Sequence, residues 1–391
     1  MTGPGPTVMI LVGCYLPGFR GGGPIQSVWN LTEALGSGQQ LLVVTADRDA
    51  GSDRPYDGIH DGVFQPLGKC SVRYLKPWEK GLSLRRILRS TPYDVLYVNS
   101  FFSPRFSILP MTLRRFGAIP RTPVVVAPRG EFSPGALGLK AAKKRLWIRI
   151  SRLLGLYRDA IWHATTDDEA DLIKSVIGTG AQVVVLNQLV SDARAEGSET
   201  EFPRPVKEPG RARVVFLSRI SRKKNLRYAA SLVALVDRGS VVFDVYGPIE
   251  DENYWRSCQR MMTESLDQRV SMKYRGELPH SQVEAVLSQY DLFLLPTRGE
   301  NYGHVIAEAL AAGCPVAVSD RTPWGKIEEE GAGWVVPLDD ERRWKSVIQE
   351  VVDASEDELN ARRTAAKRLA HAQISSQRDV EGYRRLFRAG G

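Results

Sequence analysis

The stretch LFLLPTRGENYGHVIAEALAAGCPVAVS, residues 292–319, decides the fold. An apolar run at 292–295 leads through a glycine-containing loop and a helical pattern to a second apolar run at 316–319. Apolar runs without alternation are typical of strands covered on both faces, and a helix between two such strands makes them parallel. Gly313 and Pro315 are suited to ending the helix. The stretch therefore predicts a β-α-β unit of a parallel α/β fold.

The same alternation of short apolar strands and helical patterns runs along most of the chain. The predicted strands cover residues 8–13, 41–45, 72–75, 95–98, 124–127, 160–164, 182–186, 214–217, 241–246, 270–274, 292–295, 316–319 and 334–336. At 391 residues the chain is too long for one ordinary domain. The pattern predicts two facing Rossmann-like domains with a central cleft and a helical C-terminus. We place an N-terminal domain at 1–190, a polar, proline-rich linker at 191–213, a C-terminal domain at 214–372, and a last helix at 373–391 that packs back on the N-terminal domain.

The net charge of +8 belongs to the first half of the chain. Residues 1–190 carry 23 basic and 14 acidic side chains, against 30 and 31 in residues 191–391. Basic residues interleaved with stacking aromatics are not found, so a nucleic-acid partner is not expected. Four scattered cysteines without a Cys-x-x-Cys pair indicate neither a disulfide framework nor a zinc site, and favour reduced thiols in a cytoplasmic protein. No apolar run reaches the length of a membrane-spanning helix, so we expect any membrane contact to be peripheral, at the inner face.

One basic segment, residues 140–158, has seven basic residues and no acidic one. Its apolar side chains follow helical spacing; they are Leu146, Ile150, Leu153 and Leu154, with Trp147 close by. Such a helix could lie on an anionic membrane surface. Alternatively, the apolar stripe packs into the domain and the basic face is solvated. The sequence leaves both alternatives open.

Two loops that follow predicted strands have the composition of anion sites. The first is GFRGGGP at residues 18–24, where Gly22 and Gly23 allow close backbone approach just before a helix. The second carries Arg219, whose guanidinium can bind two oxygens at once, and Lys224, whose ammonium is a compact charge; together they suit a diphosphate. Lys223 could substitute for Lys224. The alternatives are a flexible glycine loop and an ordinary solvated basic surface.

The third loop, after the strand at 292–295, is the most specific. Glu300 lies in the loop and Glu308 lies inside the helix that follows. Asn301 is predicted to cap this helix, so that the amides from about Tyr302 to Val305 are available to a diphosphate. One carboxylate can then reach the sugar of a ligand and the other a ribose diol.

Five blocks in order resemble the retaining glycosyltransferases of family 4, which have the GT-B fold, and in particular the bacterial polysaccharide-biosynthesis type. The blocks are YLPGFRGGGP (15–24), APRGEFSPGAL (127–137), HATTDDEA (163–170), SRISRKKNL (218–226) and GENYGHVIAEALAAGCPV (299–316). Glu300 and Glu308 resemble the Glu-x(7)-Glu signature of that family. The resemblance implies a metal-independent hexosyltransferase without a cofactor, which moves a sugar from a nucleotide sugar to a glycan or lipid-linked acceptor.

The resemblance also implies residue roles. Arg219 and Lys224 would bind the donor diphosphate and stabilise the leaving group, and Glu300 would contact the transferred sugar. The other implied donor-binding residues are Gly22, Gly23, Asn301, Tyr302, Gly303, His304, Val305 and Glu308. No metal ligands are implied.

Two further positions are candidate acceptor or sugar contacts. Arg129 stands where many members of the family have histidine; it either binds an anionic group or pairs with Glu131. His163 is either such a contact or a buried core histidine. The triplet Asp47-Arg48-Asp49 has the form of a metal-binding D-x-D motif, for which a loop role is expected. A nucleotide-sugar epimerase of the same fold is the alternative function.

Overall fold

The computed structural model describes residues 5–60, 62–77, 82–138, 141–189, 202, 204–264, 268–374 and 377–389. Contacts within the chain divide it into two units, one made of Met1–Gly197 with Ser376–Gly391 and the other of Ser198–Ser375. Much of the predicted linker, namely residues 191–201 and 203, lies outside the described residues.

The first unit is built on an eight-stranded sheet. Its strands are β1 (Val8–Leu11), β2 (Leu41–Ala46), β3 (Gln65–Leu67), β4 (Cys70–Leu75), β5 (Val95–Asn99), β6 (Val124–Ala127), β7 (Ala160–Ala164) and β8 (Gln182–Val185). They lie in the order β3-β4-β2-β1-β5-β6-β7-β8, and the pairings are parallel except for the antiparallel pair of β3 with β4. The accompanying helices are α1 (Gly23–Leu35), α2 (Leu82–Ser90), α3 (Leu109–Arg115), α4 (Pro134–Gly138), α5 (Ala141–Leu153) and α6 (Asp167–Ile177).

The second unit contains a parallel six-stranded sheet. Its strands are β9 (Arg211–Leu217), β10 (Ser240–Tyr246), β11 (Val270–Gly276), β12 (Leu292–Leu295), β13 (Val316–Ser319) and β14 (Gly333–Val336), in the order β11-β10-β9-β12-β13-β14. The helices are α7 (Leu226–Val233), α8 (Glu252–Glu264), α9 (His280–Leu287), α10 (His304–Ala311), α11 (Glu341–Asp353) and α12 (Glu356–Ile374).

The last helix, α13 (Gln377–Ala389), packs on the first unit. Tyr383 and Phe387 are buried in the same core as Val8 and Ile10 of β1. The ring centroid of Phe387 lies 5.4 Å from that of Tyr97 on β5. Aromatic side chains therefore fix this helix against the sheet.

Burial from both sides explains why the central strands lack alternation. All residues of β5, β6 and β12 are buried, so each side chain faces an apolar layer whichever way it points. In the described part of the chain no helix is both long enough and apolar enough to cross a bilayer.

Two details of the strand prediction are wrong. The sequence analysis missed β3, a three-residue edge strand containing Pro66, because so short a segment becomes a strand only by pairing with β4. β9 begins at Arg211, inside the stretch predicted as linker, because its first residues pair with Ser240 and Val241 of β10.

Candidate active site

The loop after β9 and the loop after β12 meet at one edge of the second sheet. The two strands are parallel neighbours, with Leu292 opposite Val214, so their carboxyl ends lie side by side. Such an edge is where open α/β sheets bind ligands. Asn225 ties the loops together, since its side-chain amide donates to the carbonyl of Pro296 at 3.0 Å.

Lys224 and Glu300 form an ion pair across these two loops. The ammonium of Lys224 donates to Oε1 of Glu300, and the two side chains are only 12% and 8% exposed. The hydroxyl of Thr297 lies 3.2 Å from the same carboxylate oxygen. The sequence-predicted cation and carboxylate are thus brought into direct contact.

Backbone bonds hold the Glu300 loop in place. The amide of Glu300 donates to the carbonyl of Arg321 at 2.9 Å, and the amide of Arg298 donates to the carbonyl of Lys223 at 2.8 Å. The hydroxyl of Ser319 donates to the carbonyl of Thr297 at 2.6 Å. These bonds tie the loop to two other segments, the β9 loop and the end of β13 with the residues after it, and so hold the Glu300 backbone in place.

The β9 loop carries further positive charge. Arg219 pairs with Glu250, its guanidinium lying 3.2 Å from the carboxylate, and its side chain is 40% exposed. Burial lowers the pKa of Lys223, and Lys224 and Arg219 act in the same direction, while Glu300 opposes them. A dianionic ligand would relieve this mutual repulsion of the three cations.

Helix α10 begins later than the sequence predicts. Its N-cap is Gly303, with a φ of 84°, and not Asn301. The left-handed turn at Gly303 breaks the helical path, and this backbone conformation is readily adopted only by glycine. His304 and Val305 therefore supply the first amides of the helix, whereas Asn301 and Tyr302 belong to the preceding loop. The predicted end is correct, since Gly313 follows the helix with a φ of 68°.

Tyr302 is fixed beside the start of α10. Its carbonyl accepts a hydrogen bond of 2.6 Å from the indole of Trp324, and its ring centroid lies 4.9 Å from that of His304. An aromatic surface thus adjoins the first turn of the helix.

Glu308 lies on α10 beside a histidine that the sequence analysis missed. Nδ1 of His280, the first residue of α9, lies 3.6 Å from Oε1 of Glu308. Glu308 is 13% exposed and His280 is 39% exposed, so the pair is reachable from solvent. In the sequence, the only signal for His280 is its position directly after Pro279, where a helix begins.

The predicted glycine loop belongs to the first unit. Gly22 adopts a φ of 64° and precedes α1, whose first residue is Gly23. The carboxylate of Asp49 accepts the amides of Phe19 at 2.8 Å and Arg20 at 2.9 Å. Asp49 of the D-x-D triplet thus has the expected loop role, in which it shapes the glycine turn.

Arg129 and Glu131 have different partners, so the predicted alternative of an ion pair between them is wrong. The guanidinium of Arg129 donates to Tyr97 Oη at 2.8 Å and to Asn99 Oδ1 at 3.2 Å. The carboxylate of Glu131 accepts the Ser100 hydroxyl at 2.8 Å, together with the amides of the next two residues. Arg129 is instead bonded to residues of β5, and Glu131 is bonded to the residues that directly follow that strand.

His163 is a buried histidine, with 1% of its surface exposed. Its Nδ1 lies 2.7 Å from Tyr97 Oη, and its Nε2 lies 3.1 Å both from the carbonyl of Leu186 and from Tyr383 Oη. Burial, aided by Arg129, lowers its pKa to about 3. Both ring nitrogens are engaged by the protein, so the geometry favours the core role over direct ligand contact.

Two family models match the chain along most of its length. The model described as "Glycosyl transferase 4-like domain" matches residues 22–189, and that described as "Glycosyl transferases group 1" matches residues 197–368. The second range includes both loops and all of α10. The chain belongs to the group 1, GT4-type glycosyltransferases.

This glycosyltransferase is 24% identical over 337 residues to the GDP-mannose:cellobiosyl-diphosphopolyprenol alpha-mannosyltransferase of Xanthomonas oryzae pv. oryzae. That similarity covers 84% of the chain and 83% of the relative. Among solved structures, sucrose-phosphate synthase of Thermosynechococcus elongatus has a TM-score of 0.70 at 18% identity, covering 98% of the chain and 100% of that protein. HepE of Anabaena, solved with UDP and glucose, has a TM-score of 0.72 at 14% identity, covering 98% of the chain and 100% of that protein.

These similarities confirm the predicted family and the two-domain GT-B fold. They also decide between the two functions that the sequence left open, because group 1 membership favours glycosyl transfer over epimerisation. The glycosyltransferase therefore carries the Lys224–Glu300 pair in its group 1 domain.

Proposed function

We propose that the enzyme transfers a hexose from a nucleotide-diphosphate sugar to a glycan or lipid-linked glycan in cell-surface polysaccharide biosynthesis. The transfer retains anomeric configuration and needs no metal ion or other cofactor. The observation that carries the proposal is the Lys224–Glu300 pair, with Arg219 and Lys223 in the same loop and the start of α10 beside it.

The donor diphosphate is held by the β9 loop and the first turn of α10. Arg219 and Lys224 bind its oxygens, and the amides of His304 and Val305 add the partial positive charge of a helix N-terminus. Lys223 could take the place of Lys224. Glu308 accepts hydrogen bonds from the ribose hydroxyls, which fits its position one helical turn farther along α10. Gly22 and Gly23 are assigned to the donor phosphates or the acceptor by resemblance alone.

Donor binding changes the partners of Lys224 and Glu300. A diphosphate carries more negative charge than one carboxylate, so it competes for the Lys224 ammonium. Glu300 is then left as an acceptor for hydroxyls of the sugar, held in place by its backbone bond to Arg321. In the free enzyme the two charges therefore form a neutral pair, which lowers the free-energy cost of burying them.

The leaving group is stabilised by fixed positive charge. As the glycosidic bond breaks, negative charge develops on the diphosphate, and Arg219 and Lys224 are placed to neutralise it. These cations perform the task that a divalent metal performs elsewhere. In front-face transfer a phosphate oxygen of the donor takes the acceptor proton, so no protein base is required.

The acceptor class is proposed from the named relative. The Xanthomonas protein is named for a diphosphopolyprenol-linked acceptor. The basic charge of the first unit suits an acceptor that carries a diphosphate at a membrane surface. Arg129 and His163 remain candidate acceptor or sugar contacts by sequence. The backbone of Arg129 lies in the loop after β6 and its guanidinium is turned toward Tyr97 and Asn99, while His163 is interior.

The test is a transfer assay with chelator present. Purified enzyme, EDTA and a panel of UDP-, GDP- and ADP-sugars are incubated with polyprenyl-diphosphate-linked oligosaccharides, and products are detected by mass spectrometry. The one-bond C1–H1 coupling in the NMR spectrum gives the anomeric configuration. We expect one donor to yield a product with its own anomeric configuration, in EDTA, with the Glu300→Gln variant strongly impaired.

The matched control is Glu329→Gln, an exposed glutamate of the same unit. It should transfer at the wild-type rate. An inverted product would overturn retention, and loss of product on adding EDTA would overturn metal independence. Absence of transfer from every donor would overturn the proposed substrate classes.

A further inference from the structure

Helix α5 turns an apolar stripe toward solvent. Leu146 is 59% exposed and Leu153 is 86% exposed, while Ile150 between them is 38% exposed. Spacings of four and three residues place the three side chains on one face of the helix. Scattered exposed leucines are ordinary, but an aligned row of them marks an interaction surface.

The opposite face of α5 fixes the helix in this orientation. Trp147 and Ile148 pack against the core of the first unit, and Ser151 is buried. The ammonium of Lys144 donates to the carbonyl of Ala136 at 2.8 Å. The predicted alternative, in which the leucine stripe packs into the domain, is therefore wrong, because the inward face is formed by other residues.

The end of α3 extends the exposed apolar area. Nε of Arg115 donates to the carbonyl of Leu154 at 2.9 Å, which joins the end of α3 to the turn after α5. Phe116, the next residue along the chain, is 66% exposed, and Leu154 is 39% exposed. We call Phe116, Leu146, Ile150, Leu153 and Leu154 the apolar patch.

Basic side chains flank the apolar patch. Those exposed on α5 are Lys143, Arg145, Arg149 and Arg152. Residues 140–158 contain no acidic residue to neutralise them. Apolar side chains in the middle with cations on both sides are complementary to the surface of an anionic bilayer. A second copy of the chain would instead bring four like charges against four, which opposes self-association.

We propose that α5 and the end of α3 dock the enzyme on an anionic lipid bilayer. The apolar patch enters the boundary between headgroups and acyl chains, and the flanking lysine and arginine side chains contact lipid phosphates. The proposal deepens the proposed function, since a lipid-linked acceptor is presented at such a surface, but its test uses neither donor nor acceptor.

The experiment is vesicle co-sedimentation of the full-length enzyme. Vesicles contain phosphatidylcholine alone or phosphatidylcholine mixed with phosphatidylglycerol. We expect partition into the mixed vesicles, at least tenfold weaker partition into phosphatidylcholine alone, and weakening as salt is raised. A wild type that sediments equally with both, or with neither, would overturn the proposal.

Two sets of substitutions separate the charged and apolar contributions. The charge variant is Lys143→Gln/Arg145→Gln/Arg149→Gln/Arg152→Gln, and the apolar variant is Leu146→Ser/Ile150→Ser/Leu153→Ser. We expect each to reduce partition into mixed vesicles at least tenfold without changing the melting temperature, because these side chains are exposed.

The control removes the same charge from the second unit: Arg256→Gln/Arg260→Gln/Lys273→Gln/Arg368→Gln, all at exposed positions. It should keep wild-type partition. If the control lost as much vesicle binding as the charge variant, net charge alone would explain the binding, and the docking site would be overturned. A concentration-dependent dimer in sedimentation velocity, abolished by the apolar variant and without vesicle binding, would assign the patch to self-association instead. Donor titration without vesicles reports on the proposed function separately.

Discussion

The ammonium of Lys224 donates to the carboxylate of Glu300, and this contact joins the loops that follow two neighbouring strands of the second unit. Both side chains are largely buried, so each charge depends on the other for compensation. Under the proposed function the pair also links the stability of the second unit to its chemistry, because a donor diphosphate would compete for the same ammonium.

Removing one member of this pair should destabilise the enzyme. Lys224→Met leaves the Glu300 carboxylate buried and uncompensated, and we expect it to lower the free energy of unfolding by roughly 3 kcal/mol. The double variant Lys224→Met/Glu300→Gln should recover part of that loss, since it leaves no charge behind. Urea unfolding followed by circular dichroism measures both. The control is Arg238→Met, which breaks an ion pair with Asp353 at an exposed site, where about 1 kcal/mol or less is expected. Equal losses in the two single variants would contradict the account.

Arg219 should matter for turnover more than for folding. Its side chain is partly exposed, so Arg219→Ala should leave the melting temperature nearly unchanged. Loss of charge opposite the departing diphosphate should lower kcat roughly 100-fold. Arg222, three residues on, is 66% exposed and pairs with Asp251, and Arg222→Ala is the control. Steady-state kinetics that show the same kcat for both variants would remove Arg219 from the site.

Gly303 should be the glycine on which the start of α10 depends. Its φ of 84° is in the left-handed region, and an added Cβ would lie 2.8 Å from Ile306 Cδ1. Gly303→Ala should lower the free energy of unfolding by about 1–2 kcal/mol. It should also weaken nucleotide binding, measured by calorimetry, since it shifts the first amides of the helix. Gly325→Ala is the control, because nothing lies within 4 Å of its Cβ position. If Gly303→Ala binds nucleotide like Gly325→Ala, the helix start does not hold the diphosphate.

His163 should make stability fall in mild acid. Burial holds its pKa at about 3 in the folded enzyme, against an ordinary value near 6.5 in the unfolded chain. Below pH 6.5 the unfolded chain therefore binds a proton that the folded enzyme excludes. The free energy of unfolding should therefore fall as the pH drops below 6.5, by roughly 1 kcal/mol between pH 7 and pH 5.5. Urea unfolding of wild type and His163→Gln at pH 7 and 5.5 isolates this contribution. If both proteins lost the same free energy of unfolding between the two pH values, His163 would not be the cause.

How much the sequence predicts depends on whether a feature is local. The sequence predicts β6 and β12 with their observed bounds. A short apolar run such as VVVA or LFLL is typical of a strand that is covered on both faces, and this signal is local. The sequence also predicts Glu300 and Lys224 as site residues from the loops that carry them. The sequence does not predict their direct contact, because the two residues are 76 positions apart and meet only through the pairing of β9 with β12.

Tertiary contacts explain the other differences. Asparagine is a common N-cap residue, which favours Asn301, yet the backbone turn at Gly303 places the N-cap two residues later. His163 and Tyr383 are 220 residues apart, so their hydrogen bond is invisible to local patterns. The stripe Leu146, Ile150 and Leu153 has helical periodicity whether it faces core or solvent, and only the packing of Trp147 decides which.

The measurement that tests the central claim most directly is calorimetric titration of UDP-, GDP- and ADP-sugars into wild type, Lys224→Met, Glu308→Ala and Arg222→Ala. The account predicts that one donor binds wild type and Arg222→Ala equally well. It predicts at least tenfold weaker binding to Glu308→Ala and to Lys224→Met, because each loses a hydrogen bond to a charged group. Equal binding by all four proteins, or no binding of any donor to wild type, would contradict a donor site at the Lys224–Glu300 pair.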